Sequence, residues 1–125
     1  MNWEHFSNDE LKCKCGCDQI KMDTEFMSKL ILLRKLCKFP LPVSSGYRCP
    51  THNDGISTTG LDGPHTTGRA VDIMISGKEA LEVLSLAYDM GFTGVGVKQK
   101  GMKRFIHLDD LEKTNARPRP WLWSY

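Results

Sequence analysis

The feature that most constrains this chain is a carboxylate in the middle of an apolar run. Asp72 interrupts Ala70–Ile75, a stretch that is otherwise apolar and rich in β-branched residues, a pattern that predicts a strand. An ionised side chain is costly there unless it is paired or metal-bound. His65 stands seven residues earlier, on the turn that feeds this strand, within GPHTTGRAVDIMI (Gly63–Ile75). A lone His107 sits inside a second apolar strand, FIHLD (Phe105–Asp109). Singly, each residue has a plainer reading: Asp72 on the solvent face of an edge strand, His107 as a hydrogen-bonded core histidine. Jointly, two imidazoles and one carboxylate from separate elements form a three-ligand metal set with an open fourth position, the arrangement that catalytic zinc prefers.

Length and charge limit what can surround such a centre. At 125 residues the chain is expected to form one domain, 1–125, large enough for a genuine core and too short for two. A formal net charge of +2, with basic residues scattered apart from short clusters at Lys98–Arg104 and Arg117–Arg119, does not indicate a nucleic-acid partner. MNWEHFSNDELK has neither the basic nor the apolar region of a secretory signal, so synthesis in a cytoplasm without a signal peptide is the expectation. No run approaches the roughly 20 apolar residues of a membrane span, so no membrane insertion is expected.

The five cysteines are odd in number and crowded: Cys13, Cys15, Cys17, Cys37 and Cys49. In a reducing compartment they do not read as a disulfide scaffold. The C-x-C-x-C run lacks the second CxxC or HxxxH of a strong structural zinc signature, so free, partly buried thiols are the favoured reading. A second metal site, completed by Cys49 or His52, is the less favoured alternative, and an oxidisable thiol pair lies between.

Taken in order, Ser7 and Glu10 form a capping box that opens a short helix to about Lys12, and the segment 13–18 is irregular. Asp23 or Thr24 caps a helix running to about Cys37. Its core stripe is Phe26, Leu30, Leu33 and Cys37, broadened by Met27 and Leu36. Pro40 and Pro42 close that region. Val43–Tyr47 reads as a strand, and 48–64 as a long polar loop of the kind that carries function. Ser76 and Glu79 suggest a second capping box, opening a helix closed by Gly91 with Leu81, Leu84 and Tyr88 buried. Thr93–Val97 and Arg104–Leu108 form a hairpin. The tail RPRPWLWSY cannot be regular helix, and its Trp121 and Trp123 are expected to pack back on the domain.

Several of these segments also carry a resemblance. SSGYRCPTHN (Ser44–Asn53), GPHTTGRAVDI (Gly63–Ile73), GVGV (Gly94–Val97), FIHLD and the closing RPRPW-W-Y resemble the zinc D-Ala-D-Ala carboxypeptidase family, in order and over nearly the whole chain. FSNDELKCKCGC is similar to the N-terminus of the short, single-domain members found in bacteriophages. The resemblance implies an α+β fold of the Hedgehog/DD-peptidase type: a small, largely antiparallel sheet with helices on one side and zinc in a groove above it. It implies one zinc held by His65, Asp72 and His107 with water in the fourth position, and Arg48 supporting the scissile carbonyl or oxyanion. Where better-known relatives have a carboxylate base three residues before the last ligand histidine, this chain has Arg104, which accepts no proton. Asp109, two residues from His107 and on the same face of a strand, is the best substitute, with an orienting role for a ligand histidine as the equal alternative and His52 as a more distant candidate base. Gly63 replaces a serine common in the family.

The expected function is zinc-dependent hydrolysis of a peptide bond in peptidoglycan stem peptides, by a monomeric carboxypeptidase or endolysin-like endopeptidase that reaches the cell wall after release. The competing expectation is a non-catalytic, zinc-stabilised module that binds the wall or serves the virion. A redox or metal sensor built on the cysteine run is a third.

Overall fold

The computed structural model describes residues 3–125. Its centre is a five-stranded sheet built from β1 (Val43–Ser45), β2 (Ala70–Ile73), β3 (Gly94–Lys98), β4 (Phe105–Asp109) and β5 (Trp121–Ser124). The spatial order is β1-β2-β4-β3-β5, antiparallel throughout except that β5 runs parallel to β3. The α+β expectation therefore holds, with the sheet mixed by its last strand.

Period-2 alternation divides the sheet into two faces with different work. Val71, Ile73, Ile106 and Leu108 point into the core, where they meet α2 (Thr24–Cys37) and α4 (Gly77–Ala87). Asp72, His107 and Asp109 alternate with them and lie on the opposite face. Phe26 on α2 meets Phe92 edge-on with centroids 5.8 Å apart, tying the helix to the turn that precedes β3.

The helix starts follow local chemistry. Ser7 and Glu10 close a reciprocal capping box on α1 (Asn8–Leu11), and Asp23 caps α2 by accepting from the Phe26 N–H. Lys38 ends α2 in the left-handed conformation, before Pro40.

Four expectations need correction. Ser76 is the N-cap of α4 but makes no capping hydrogen bond, so the second capping box is not formed. The buried face of α4 is Ala80, Val83 and Ala87, whereas Leu81 and Tyr88 are exposed. Leu84, the third expected residue, is partly buried and packs against the core beside this face. Leu36 of α2, like Leu81, is exposed. The segment 48–64 is not a structureless loop: it contains α3 (Pro50–Ile56) and a 3-10 turn at Gly60–Asp62. Proline at the first position starts α3 without an N–H to satisfy, and its buried residue is Asn53, so no apolar stripe announces it.

Candidate metal centre

Strand register brings the first pair together. Asp72 on β2 and His107 on β4 are directly opposed partners, and Gly96 of β3 flanks His107 on its other side. His65 arrives from a 3-10 turn at Pro64–Thr67. Gly68 ends that turn with φ 75°, where an added Cβ would overlap the Lys21 carbonyl, so the approach requires glycine. Gly63 is similarly confined, since a side chain there would collide with Thr59 and Asn53. A larger residue at this position would require the Thr59 and Asn53 side chains to shift.

All three donor atoms lie within 4.8 Å of one another. His65 Nε2 is 3.3 Å and His107 Nδ1 is 3.1 Å from Asp72 Oδ1. Tetrahedral zinc, with N and O ligands at about 2.0–2.2 Å, sets neighbouring donors about 3.3 Å apart. The outer nitrogen of each ring is already engaged. His65 Nδ1 donates to the Gly46 carbonyl at 2.8 Å, and His107 Nε2 donates to Asp109 Oδ2 at 2.8 Å. Both partners only accept, so each neutral imidazole turns a lone pair toward a carboxylate oxygen. Such an arrangement is stable only with a cation, a metal or a proton, among the three.

The electrostatics favour the ligating forms of His65 and Asp72, and on His107 they favour a cation, the proton that a metal would replace. Burial pushes His65 down from its ordinary value against the pull of Asp72, with the His107 and Arg48 charges adding to the drop, so this ring stays neutral. Burial pushes Asp72 up, but the hydrogen bonds from His107 and His65 hold it well below the usual carboxylate range. For His107, burial opposes a charge and Asp109 and Asp72 favour it; the carboxylates win, and its value is raised.

Arg48 reaches the same centre from the strap after β1. Its Nε donates to Ser45 Oγ at 3.0 Å, Nη1 to Asn53 Oδ1 at 3.1 Å and Nη2 to Asp72 Oδ2 at 3.5 Å. Asn53 in turn donates to Thr59 and to the Gly60 carbonyl, which makes it the hub that fixes the arginine. With His65, Asp72 and His107, Arg48 lines a groove of about 810 Å³ whose walls include Trp123 and Tyr125.

Asp109 lies behind His107 instead of in this groove. Its Oδ1 accepts from Arg119 Nε at 2.9 Å and from the Leu111 N–H at 3.3 Å; its Oδ2 accepts from His107 Nε2 and from Arg119 Nη2 at 2.7 Å. The residue is fully buried. Burial raises its carboxyl, but His107 and Arg119 hold it well below the usual range. The same-face expectation for Asp109 is met, and its oxygens are engaged by the outer nitrogen of His107, the Arg119 guanidinium and the Leu111 N–H. Arg104 is exposed and donates to the Gly101 carbonyl, and His52 is not among the groove-lining residues.

Four residues at the site carry no individual signal of this role in the sequence. Arg119 is the bidentate partner of Asp109. Asn53 fixes Arg48. Gly94 and Gly96 leave the space that Asp109 and the Trp123 ring occupy: a Cβ on Gly96 would lie 2.6 Å from the indole nitrogen, and one on Gly94 would overlap the Asp109 carboxylate. Trp123, 5.0 Å from the His107 ring by centroids, packs back as expected, whereas Trp121 is exposed. The GVGV spelling was the available signal, since its glycines alternate along a strand whose valines are needed for the core.

Two histidines and an aspartate that could hold a metal ion line a peptide-sized groove beside a fixed guanidinium, the arrangement that metal-dependent hydrolases use. The family follows from comparison: a family model described as Peptidase M15 matches residues 4–109, and the chain belongs to that family. Its peptidases are zinc-dependent, so the donor set fits the metal and the chain is a metallopeptidase by family. No curated protein and no solved structure matches the chain. Among the described residues no helix is long and apolar enough to cross a membrane.

Proposed function

We propose that the chain hydrolyses a peptide bond in the stem peptides of bacterial peptidoglycan, as a carboxypeptidase or an endolysin-like endopeptidase. The observation that carries this reading is the charge of the groove beside the metal donors. Arg48 and Arg117 line it, and its neighbouring walls are the aromatic rings of Phe105, Trp123 and Tyr125. Such a cleft suits a short, carboxylate-bearing peptide, with the arginines taking its acidic groups and the rings its apolar stem.

Zinc bound by His65 Nε2, an Asp72 carboxylate oxygen and His107 Nδ1 would lower the pKa of water toward roughly 7 and polarise the scissile carbonyl. The chain's own residues do the rest. Arg48, held by Ser45 and Asn53, presents a fixed cationic donor to the carbonyl oxygen as charge develops on it. Asp109 fixes the tautomer and orientation of His107, and Arg119 fixes Asp109. The enzyme acts as a monomer on the wall after release from the cytoplasm in which it is made, as phage lysis enzymes do when a separate partner opens the membrane.

A second reading, a wall-binding module without turnover, draws on one observation. The carboxylates lining the groove are Asp72, already a ligand, and Asp62. Incubation of metal-quantified protein with peptidoglycan, with and without a chelator, separates the two by mass spectrometry of the released fragments. Chelator-sensitive release of D-alanine or cleaved stem peptides is the expected result and identifies the bond. Zinc-loaded protein that binds walls of several types and cuts none would establish the module instead.

A further inference from the structure

Among the described residues a second group of metal-ligating side chains converges, and the peptidase chemistry does not use it. The Sγ atoms of Cys13, Cys15, Cys17 and Cys49 all lie within 4.8 Å of one another. Cys13 and Cys15 are 3.5 Å apart and Cys15 and Cys49 3.7 Å apart, and all are free thiols. We propose that these four cysteines form a structural tetrathiolate site for zinc, distinct from the His65–Asp72–His107 centre.

Geometry supports the assignment first. Zinc–sulfur bonds of about 2.3 Å in a tetrahedron place the sulfurs about 3.8 Å apart, close to the two separations given. Four ligands close the coordination shell and leave no open position, which marks a structural site. The loop that delivers three of them is bent to do so: Gly16 has φ 95° and Asp18 φ 57°, and the Cys13 N–H bonds to the Gln19 carbonyl at 2.9 Å, closing the loop on itself. The Cys49 N–H donates to Cys13 Sγ at 3.3 Å, the outer-sphere contact that a metal-bound thiolate accepts. His52 is not a member of the group; Cys49 is the fourth ligand. Cys37 is buried in the core on α2 and takes no part.

Position gives the site a purpose. Cys49 directly follows Arg48, the Tyr47 N–H bonds to the Leu11 carbonyl at 2.9 Å, and the Arg48 N–H bonds to the His65 carbonyl at 3.1 Å. A metal joining the 13–17 loop to Cys49 clamps both flanks of the strap that carries the groove arginine. α1 and β1 are thereby fastened without the large apolar core that so short a first helix cannot supply.

Metal counting and cobalt spectroscopy test this without reference to peptidase activity. Protein prepared under reducing, zinc-replete conditions is expected to hold about two zinc per chain. His65→Ala should retain about one, and its cobalt-substituted form should keep an intense thiolate-to-metal charge-transfer band. Cys15→Ser with Cys17→Ser, both exposed positions, should lose that band and about one zinc, while Cys37→Ser changes neither. Because the double cysteine variant is open to folding failure, the wild-type cobalt spectrum decides independently: absence of a thiolate band overturns the site. A wild-type content of about one zinc that vanishes entirely in His65→Ala, or disulfides among these four cysteines in reductant-prepared protein, overturns it too.

Discussion

Asp109 spends all its accepting capacity on its neighbours, and this decides what a substitution there should do. Asn at this position keeps an oxygen for Arg119 or His107 but removes the charge that sets the His107 tautomer. Asp109→Asn should therefore weaken zinc binding by about 10–100-fold, with turnover returning when zinc is saturating. If turnover stays lost at full zinc occupancy, Asp109 is the base after all. Legibility at this scale followed chemical cost. His65, Asp72 and His107 stand out in the sequence because polar groups in apolar strands need partners. Arg119 does not, because an arginine in a proline-rich tail has the spelling of a surface residue, and only the fold shows it buried against a carboxylate.

Among the elements, β2 and β4 carry two of the metal donors, and β3 and β5 close the site behind them with a pairing that the sequence marks only in part. The hairpin of β3 and β4 follows from alternation and turn residues, but nothing local identifies WLWS as a parallel partner of β3, a pairing made across a long separation in the chain. α3 was missed for a related reason: its anchor is a hydrogen-bonded Asn53 instead of an apolar stripe. The inward face of α4 is Ala80, Val83 and Ala87, with Leu84 packed beside it, so side-chain size alone does not mark which face of this helix is buried. Two variants probe the tail. Gly96→Ala drives a methyl into the Trp123 ring, with an expected loss of about 1–3 kcal/mol. Arg119→Ala leaves a fully buried carboxylate beside His107 without its cation, for which about 3–5 kcal/mol is expected. Denaturant titration of zinc-loaded protein measures both. A loss below 1 kcal/mol in Arg119→Ala would mean that the tail is not docked in solution.

For the whole molecule, the metal centre makes metal-free stability depend on pH in a direction fixed by its neighbours. His107 is raised above its ordinary value of about 6.5, so the stability it contributes is fully present below that pH and is lost as pH rises through the raised value. His65 is lowered, and its contribution is lost in the other direction, as pH falls below about 6.5. Asp72 and Asp109 are depressed, so their contributions are present above about 3.9 and are lost only as pH falls well into the acid range. Above neutrality His107 alone among these four groups is left to titrate. Chelated protein should therefore show a falling Tm as pH rises from about 6.5. Zinc should abolish that slope, because it occupies the place of the proton between His107 and Asp72 and binds more tightly once no proton must be displaced. His107→Gln should flatten the slope in the chelated protein, since the titrating group is gone while the side chain still hydrogen-bonds. Thermal melts of the three samples across pH are the measurement. A metal-free Tm that stays level above neutrality, or a slope that survives in His107→Gln, would show that the proton does not stand in for the metal at this position.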